Sequence, residues 1–245
     1  MSYKDFLPKY SDPAEYDKTF TGSASNEPDF YRNYVEKSKK VLYLGSGTGR
    51  LLKTFLPINK NITAVEFSKE MVDFSKELLP DAKILFQDAL ELNLNEQFNL
   101  ILAPYRFLTH FNKNELEKLF KVVSKHLSAD SLFVGDIFSP YLPHDRSIRY
   151  EIESIETKGN IVEKVYNCYD HESQICVEIV EKTDMKSGQS SIIEMFWHYY
   201  YPEQLTELAE KNNLRVESFY GSFDKEPMDK DCYDLIFVIK KGGFA

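Results

Sequence analysis

The stretch at residues 41–50, VLYLGSGTGR, constrains the fold more than any other, because a short apolar run leads directly into three glycines at alternate positions. Residues 41–44 are too few for an amphipathic helix and predict a buried parallel strand. Gly45, Gly47 and Gly49 lack Cβ atoms, so a ligand can lie against the turn and bind its backbone amides. Short glycine-rich runs also serve as plain turns, so the flanking sequence has to decide between the two interpretations.

Strands and helices alternate through the first half of the chain. Helices are predicted between the apolar runs, including one that begins at Asn112, where Glu115 completes a capping box. Alternation with short joins is typical of a doubly wound α/β sheet. After the strand at 41–44, further apolar runs predict strands at 61–66, 83–86, 98–103 and 131–138.

The pattern changes between residues 147 and 200, where four segments alternate apolar and polar side chains with period two. This alternation predicts four antiparallel strands inserted into the α/β chain. The last two strands, expected at 214–220 and 234–240, are joined by a connection too short for a crossover helix, so they must pair antiparallel. The predicted fold class is α/β, a doubly wound Rossmann-like seven-stranded sheet with an antiparallel last strand, plus an inserted antiparallel β-sheet.

Three parts of the chain follow from these patterns. Residues 1–40 are expected to form an N-terminal arm and helix, and residues 41–146 and 201–245 the α/β domain. Residues 147–200 form the inserted sheet, which is expected to serve as a lid or a dimer surface. A homodimer is therefore one of the partners that the sequence allows.

The net charge and the cysteine content restrict the cellular compartment and the classes of partner that we expect for this protein. The formal net charge of −9 argues against a nucleic-acid or anionic-membrane partner, because phosphate repels a surface of that sign. Three cysteines without C-x-x-C spacing indicate neither a disulfide framework nor a zinc site. No segment approaches the roughly 20 apolar residues of a membrane span, and the N-terminus has no signal-peptide pattern. We therefore expect a cytoplasmic protein.

Two acidic residues follow consecutive predicted strands, at the sheet edge where ligands bind in open α/β folds. Glu66 ends the second strand and Asp88 follows the third. The first can accept the ribose hydroxyls of an adenosine, and the second can accept the amine of adenine. Either carboxylate alone can be a solvated loop residue. Their joint position beside a glycine turn indicates a ligand that contains adenosine.

The spacing of the glycines separates two kinds of adenosine ligand. A dinucleotide site requires G-x-G-x-x-G, in which the helix end faces a pyrophosphate. Here Arg50 stands where the third glycine of that pattern belongs, and the glycines run G-x-G-x-G. The sequence therefore favours a ligand without phosphate over the alternative of an NAD-dependent oxidoreductase.

At this point the chain resembles the class I S-adenosylmethionine-dependent methyltransferases. It is most similar to small-molecule members with a β-sheet insertion, such as the sugar-amine N,N-dimethyltransferases of antibiotic pathways, and the likeness covers nearly the whole chain. The resemblance implies S-adenosylmethionine as cofactor and methyl transfer to N or O of a small-molecule acceptor. It is carried by the segments LYLGSGTGRLL, VEFSKEMV, FQDAL, LAPYRFLTHF, LFVGDIFSPYL and the ending ESFYGSFDKEPMDKDCYDLIFVIKK.

The resemblance also implies roles for individual cofactor-binding residues. The methionyl part would lie along Gly45, Ser46 and Gly47, and Glu66 would bind the ribose. Phe67 and Met71 would flank adenine, and Asp88 with Ala89 would contact its amine. Ala103 and Pro104 would border the methyl group, and Tyr16 would reach the site from the N-terminal arm.

One position departs from the family pattern. Tyr43 stands two residues before the first glycine, where members of the family usually have an acidic residue that holds the methionyl ammonium. This departure motivates a rival hypothesis, in which the chain is a non-catalytic S-adenosylmethionine-binding partner protein.

Methyl transfer from a sulfonium needs a base only to keep the acceptor neutral or anionic. His110 is the predicted base, because it follows the fourth strand and a free imidazole titrates near neutrality. The alternative is that His110 packs at the start of the Asn112 helix. Asp136 is either a second acceptor-side group or an anchor for a loop, and His144 and His198 rank below His110 as bases.

Two further expectations concern the inserted sheet and metals. The aromatic residues Phe196, Trp197, Tyr199 and Tyr200 are expected to be sheet core or dimer contacts rather than a substrate box, since aromatic residues favour strands in general. No carboxylates occur at the spacing of oxygen ligands, so no metal is expected.

Overall fold

A computed structural model of the chain describes residues 4, 10–20, 26–138, 151–229, 232 and 234–242. The helices are α1 Pro13–Phe20, α2 Glu27–Glu36, α3 Arg50–Phe55, α4 Lys69–Leu78, α5 Lys113–His126 and α6 Pro202–Lys211. The strands are β1 Val41–Leu44, β2 Ile62–Glu66, β3 Lys83–Phe86, β4 Phe98–Ala103, β5 Leu127–Phe138, β6 Glu151–Lys158, β7 Ile161–Asp170, β8 Ile175–Asp184, β9 Ser190–His198, β10 Leu214–Tyr220 and β11 Asp234–Lys241.

Seven strands form one mixed sheet in the order β10-β11-β5-β4-β1-β2-β3. The five strands from β3 to β5 in this order run parallel to one another. β11 pairs antiparallel with β5 and β10 antiparallel with β11. The predicted fold class, including the antiparallel last strand, is confirmed.

The sheet is covered on both faces, as its continuous apolar strands require. Leu42 and Leu44 of β1 pack in the layer that holds α5 and α6. Val41 and Tyr43 point the other way and pack in the layer that holds α2 and α3. Tyr43 is 3% exposed, and its ring centroid lies 6.2 Å from that of Phe55. The residue that replaces the family's acidic group is therefore part of the core behind the glycine turn.

Side chains cap two helices that flank the site. Ser68 caps α4, and Asn112 with Glu115 forms the predicted capping box of α5. The side chain of Asn26 makes no capping hydrogen bond to α2, and its amide donates to the Asp224 carboxylate at 2.8 Å. β5 begins four residues earlier than the predicted residue 131, because Leu127 already pairs with β4.

The four strands β6 to β9 form a separate antiparallel sheet in sequence order. This sheet has a small apolar cluster of its own around Cys176, Val180, Met195 and Trp197. His144, one of the lower-ranked base candidates, lies outside the described residues. Within the described part of the chain, no helix is long and apolar enough to cross a membrane.

Candidate functional site

A cavity of about 100 Å³ lies at the carboxyl ends of β1, β2, β3 and β4, where the strand-end residues converge. Ten of the twelve residues predicted for the site line it, namely Tyr16, Gly45, Gly47, Glu66, Phe67, Met71, Asp88, Ala89, Pro104 and His110. Six further residues complete its walls, namely Tyr10, Val65, Gln87, Tyr105, Phe107 and Phe111.

The other two predicted residues, Ser46 and Ala103, lie behind the cavity walls. Both are buried, with 4% and 0% of their surface exposed. Among the described residues, the hydroxyl of Ser46 has no hydrogen-bond partner. A buried polar group in the middle of the glycine turn normally finds a partner, so this hydroxyl is a feature that a bound ligand can satisfy.

The glycine turn adopts a backbone that side chains disfavour. Gly45 has φ +66°, and a Cβ atom placed on it would lie 2.3 Å from the ring of Phe107. The ring of Phe107 therefore covers the first glycine directly, and even alanine at this position would displace it. Gly47, at φ +55°, has open space on the side where a Cβ would stand, which lets a ligand approach the backbone.

Glu66 is fixed at the end of β2 by the backbone around it. One carboxylate oxygen accepts the amide of Gly47, and the other accepts the amides of Phe67 and Ser68, all at 2.8 Å. Burial raises the pKa of Glu66, against the lowering effect of these three hydrogen bonds. A carboxylate has about four acceptor positions, so roughly one is left for a ligand hydroxyl.

Asp88 is held by the turn that follows β3. Its side chain accepts the amide of Leu90 at 2.9 Å and so caps the short 3-10 helix Ala89–Glu91. Gln87, which the sequence analysis did not select, lines the cavity beside it. Both acidic residues thus reach the same cavity, as their strand-end positions predict.

The loop after β4 is anchored by Asp136. Tyr105 and Arg106 both have positive φ, at 61° and 55°, which is uncommon for side chains of this size. The Asp136 carboxylate accepts both of their amides at 2.8 Å and also the hydroxyl of Tyr31. Of the two roles left open for Asp136, the geometry supports the loop anchor.

The pKa of the Asp136 carboxyl group is shifted from its ordinary value. Burial, together with the nearby negative charges of Glu27 and Asp234, raises the pKa of Asp136 to about 7. Its hydrogen bonds from Tyr31 and Arg106 oppose this shift. Asp136 is therefore a buried acid that changes charge near neutral pH.

His110 ends the short 3-10 helix Phe107–His110, and its ring faces the cavity. Its Nδ1 lies 3.0 Å from the carbonyl oxygen of Phe107. A carbonyl can only accept, so Nδ1 carries the proton and Nε2 is left with a lone pair. Nε2 accepts a hydrogen bond from the hydroxyl of Tyr10. The cap of the following helix is made by Asn112, not by His110.

The N-terminal arm brings Tyr10 and Tyr16 into the cavity. The hydroxyl of Thr48, in the glycine turn, donates to Asp17 of α1 at 2.5 Å. The hydroxyl of Ser68 donates to the backbone carbonyl of Tyr10 at 3.3 Å. The arm thus lies across the glycine turn and the start of α4, and Tyr10 was missed because the arm sequence has no periodicity to indicate a buried residue.

The inserted sheet also reaches the site. The ring of Trp197 in β9 meets the ring of His110 edge to face at a centroid distance of 5.3 Å. Tyr200, in contrast, is a core residue whose hydroxyl donates to the carbonyl of Phe111 at 2.6 Å. Trp197 belongs to the apolar cluster of the inserted sheet, as expected for the aromatic residues at 196–200, and β9 also packs against the 3-10 helix that carries His110.

Arg50 replaces the third glycine of the dinucleotide pattern and has a structural setting of its own. Its guanidinium lies 4.8 Å from the centroid of the Tyr105 ring and pairs with the buried carboxylate of Glu27 at 3.4 Å. His198, a lower-ranked base candidate, is not among the residues that line the cavity.

Comparison with known proteins agrees with this geometry. Residues 41–130 match a family described as a methyltransferase domain, so the enzyme class predicted from the motifs is confirmed. A comparison with curated proteins finds no match.

The whole chain is similar to solved methyltransferase structures. An S-adenosylmethionine-dependent methyltransferase from Clostridium acetobutylicum shares 20% identity over 98% of this chain and 99% of its own, with a TM-score of 0.78. The CcbJ methyltransferase from Streptomyces caelestis shares 16% identity over 99% of this chain and 97% of its own, with a TM-score of 0.79. A third structure is that of CalS10, an amino pentose methyltransferase from Micromonospora echinaspora with S-adenosylmethionine bound. It shares 14% identity over 92% of this chain and 96% of its own, with a TM-score of 0.72. The predicted resemblance is confirmed at the level of the fold.

Proposed function

We propose that this protein transfers a methyl group from S-adenosylmethionine to a nitrogen or oxygen atom of a small-molecule acceptor. One observation carries the proposal, which is that a single cavity joins the glycine turn, Glu66 and Asp88 to the imidazole of His110, whose Nδ1 donates to the carbonyl of Phe107. An adenosine site and a base that face the same space are what a methyl transfer to a bound acceptor requires.

The residues at the glycine end fit the proposed cofactor. The unsatisfied hydroxyl of Ser46 and the open face of Gly47 support binding of the methionyl part, and the remaining acceptor position of Glu66 supports binding of a ribose hydroxyl. Gly45 completes the turn. Phe67 and Met71 would flank adenine, Asp88 and Ala89 would contact its amine, Ala103 and Pro104 would border the methyl group, and Tyr16 would close the site from the arm.

S-adenosylmethionine supplies an activated methyl group on a sulfonium. The protein therefore has to align the acceptor with that methyl group, and alignment contributes up to roughly 7–11 kcal/mol in ideal cases. His110 takes the acceptor proton on Nε2, while the carbonyl of Phe107 holds the opposite nitrogen protonated and fixes the plane of the ring.

Calorimetry with S-adenosylhomocysteine, the demethylated product, tests the first half of the proposal. We expect one binding site per chain, and no binding would refute the proposed function. Mass spectrometry of a metabolite extract incubated with S-adenosylmethionine tests the second half. A product heavier by one CH₂ is expected, whereas binding without turnover would favour the non-catalytic partner protein.

The surroundings of the enzyme are part of the same proposal. The acidic charge and the three cysteines Cys168, Cys176 and Cys232, which lack C-x-x-C spacing, support a cytoplasmic location and a small-molecule partner. Exposed apolar side chains of the inserted sheet, Ile155, Ile192 and Ile193, support its use as a homodimer surface. Light scattering of the purified protein measures the oligomeric state directly.

A further inference from the structure

The hydroxyl of Tyr10 occupies the position where an acceptor has to present its proton. Nε2 of His110 is the only atom of that ring with a lone pair, and the Tyr10 hydroxyl already donates to it. Burial raises the pKa of Tyr10, so its phenol is neutral and keeps the proton that it donates. Tyr10 and His110 therefore form a base with a phenol bound to it.

The surroundings of this hydroxyl are aromatic. The ring of Tyr10 lies 5.6 Å from that of Tyr16, edge to face, and 5.9 Å from the imidazole. Phe107 and Phe111 line the same cavity, and the ring of Trp197 meets the imidazole edge to face. Such walls suit a planar ring. The several hydroxyls of a sugar would find few partners among them, and buried polar groups without partners are costly.

Tyr10 also blocks the approach to Nε2 of His110, because its hydroxyl already occupies the lone pair that an acceptor has to reach. Tyr10 belongs to the N-terminal arm, and its backbone carbonyl accepts a hydrogen bond from the hydroxyl of Ser68 at 3.3 Å. An acceptor therefore reaches His110 by displacing Tyr10.

We propose that the acceptor is a phenol, a planar aromatic hydroxyl compound, and that Tyr10 is its internal stand-in on His110. This inference rests on the proposed function, because it names the acceptor of the same reaction. The phenol oxygen forms a bond to the methyl carbon while the carbon–sulfur bond breaks, sulfur keeps the electron pair, and the phenol proton passes to Nε2 of His110. A phenol with a pKa near 10 releases that proton to an imidazole far more readily than an aliphatic alcohol does.

Trp197 makes binding measurable without turnover. It is the only tryptophan in the chain, and its ring is in contact with His110. We would titrate the protein, without cofactor, with 4-methylphenol, which is the side chain of tyrosine, and record the tryptophan fluorescence. Toluene lacks the hydroxyl and 4-methylcyclohexanol lacks the planar ring. Both are expected to bind at least tenfold more weakly than 4-methylphenol, because each loses one of the two features that the site recognises.

The variant Tyr10→Phe tests the stand-in directly. It removes the competing hydroxyl, so the dissociation constant of 4-methylphenol should fall roughly three- to tenfold, the equivalent of one hydrogen bond. Tyr34→Phe is the control, since Tyr34 is a half-buried tyrosine of α2 that does not line the cavity, and there the constant should change less than twofold. The affinity for S-adenosylhomocysteine, measured by calorimetry, should be unchanged in Tyr10→Phe.

Three results would overturn the inference. These are equal affinities for the three probes, weaker binding of 4-methylphenol to Tyr10→Phe than to the wild type, and methylation of an amino sugar with no methylation of phenols. If the wild type binds no S-adenosylhomocysteine, the proposed function fails, and the phenol titration then shows separately whether an aromatic site exists.

Discussion

The two ends of the cavity are built in different ways. At the end that we propose for the cofactor, Gly47 and Glu66 belong to neighbouring strand ends, and backbone amides hold the carboxylate at 2.8 Å. At the end that we propose for the acceptor, Tyr10, His110 and Trp197 come from the arm, a 3-10 helix and the inserted sheet, and they meet through side chains. The cofactor end is thus fixed by the sheet itself, whereas the acceptor end depends on three separately placed elements.

This difference indicates which end can change its specificity. Backbone amides at the end of a parallel sheet stay in place when side chains vary, so the cofactor end is preorganised. Side chains from an arm and an inserted sheet can be replaced without disturbing the sheet. Substitutions at the acceptor end should therefore alter turnover and acceptor binding but not cofactor binding, and substitutions at the cofactor end should do the reverse.

The largest expected effect is that of His110→Ala on turnover. Loss of a base typically lowers the rate by 10²–10⁴-fold, whereas the affinity for S-adenosylhomocysteine should change less than twofold. Steady-state kinetics and calorimetry on the same preparation measure both quantities. His198→Ala removes a histidine that does not line the cavity and should leave both unchanged. A parallel loss of rate and cofactor affinity in His110→Ala would erase the distinction between the two ends.

Glu66→Gln should lower the affinity for S-adenosylhomocysteine by roughly 10- to 100-fold. The variant loses a negatively charged hydrogen-bond acceptor, and the NH₂ group of the new side chain faces backbone amides, which are also donors. Glu77→Gln, at an exposed position of α4, should change the affinity by less than twofold. Unchanged affinity in Glu66→Gln, with the fold intact by circular dichroism, would contradict the assignment of Glu66 to the cofactor.

Asp136→Asn should have a smaller effect on both cofactor binding and turnover, because Tyr105 of the loop that it anchors lines the cavity. The variant keeps the volume but replaces one acceptor of the Tyr105 and Arg106 amides by a donor. We expect a loss of about 1–3 kcal/mol in the free energy of unfolding and a roughly tenfold loss in turnover. Urea denaturation and kinetics measure the two effects. A stability equal to that of the wild type would show that the loop holds its positive φ angles without the carboxylate.

The most gradual expected effect is the pH dependence of stability. The pKa of Asp136 is raised from 3.8 to about 7 in the folded protein, so the folded state retains a proton that the unfolded chain has lost. Its stabilising contribution is therefore complete below about pH 4 and is lost as the pH rises towards 7, by at most about 1.4 kcal/mol per pH unit. The stability difference between the wild type and Asp136→Asn should follow this trend in urea titrations at pH 5 to 8. A difference that stays constant over that range would exclude a shifted titration.

The sequence predicted most of the residues that line the cavity at the end proposed for the cofactor. The apolar run before Gly45, the strand-end positions of Glu66 and Asp88 and the capping box at Asn112 depend on residues within one or two elements. Because parallel strands align their carboxyl ends, knowing the strands already implied that these residues meet. Ser46 and Ala103 were expected at the cavity but lie behind its walls, since the direction of a single side chain depends on its packing.

What the sequence by itself determined was the α/β sheet, its antiparallel last strand, the inserted sheet and the two acidic residues at neighbouring strand ends, because periodicity and turn chemistry are local. Only the tertiary structure decided that Tyr10 binds His110, one hundred positions away, that Trp197 reaches the same imidazole, and that Tyr43 faces the core. These contacts join residues whose separation in the chain carries no signal of their meeting. They exist because the arm, the loop after β4 and the inserted sheet pack at the same edge of the sheet.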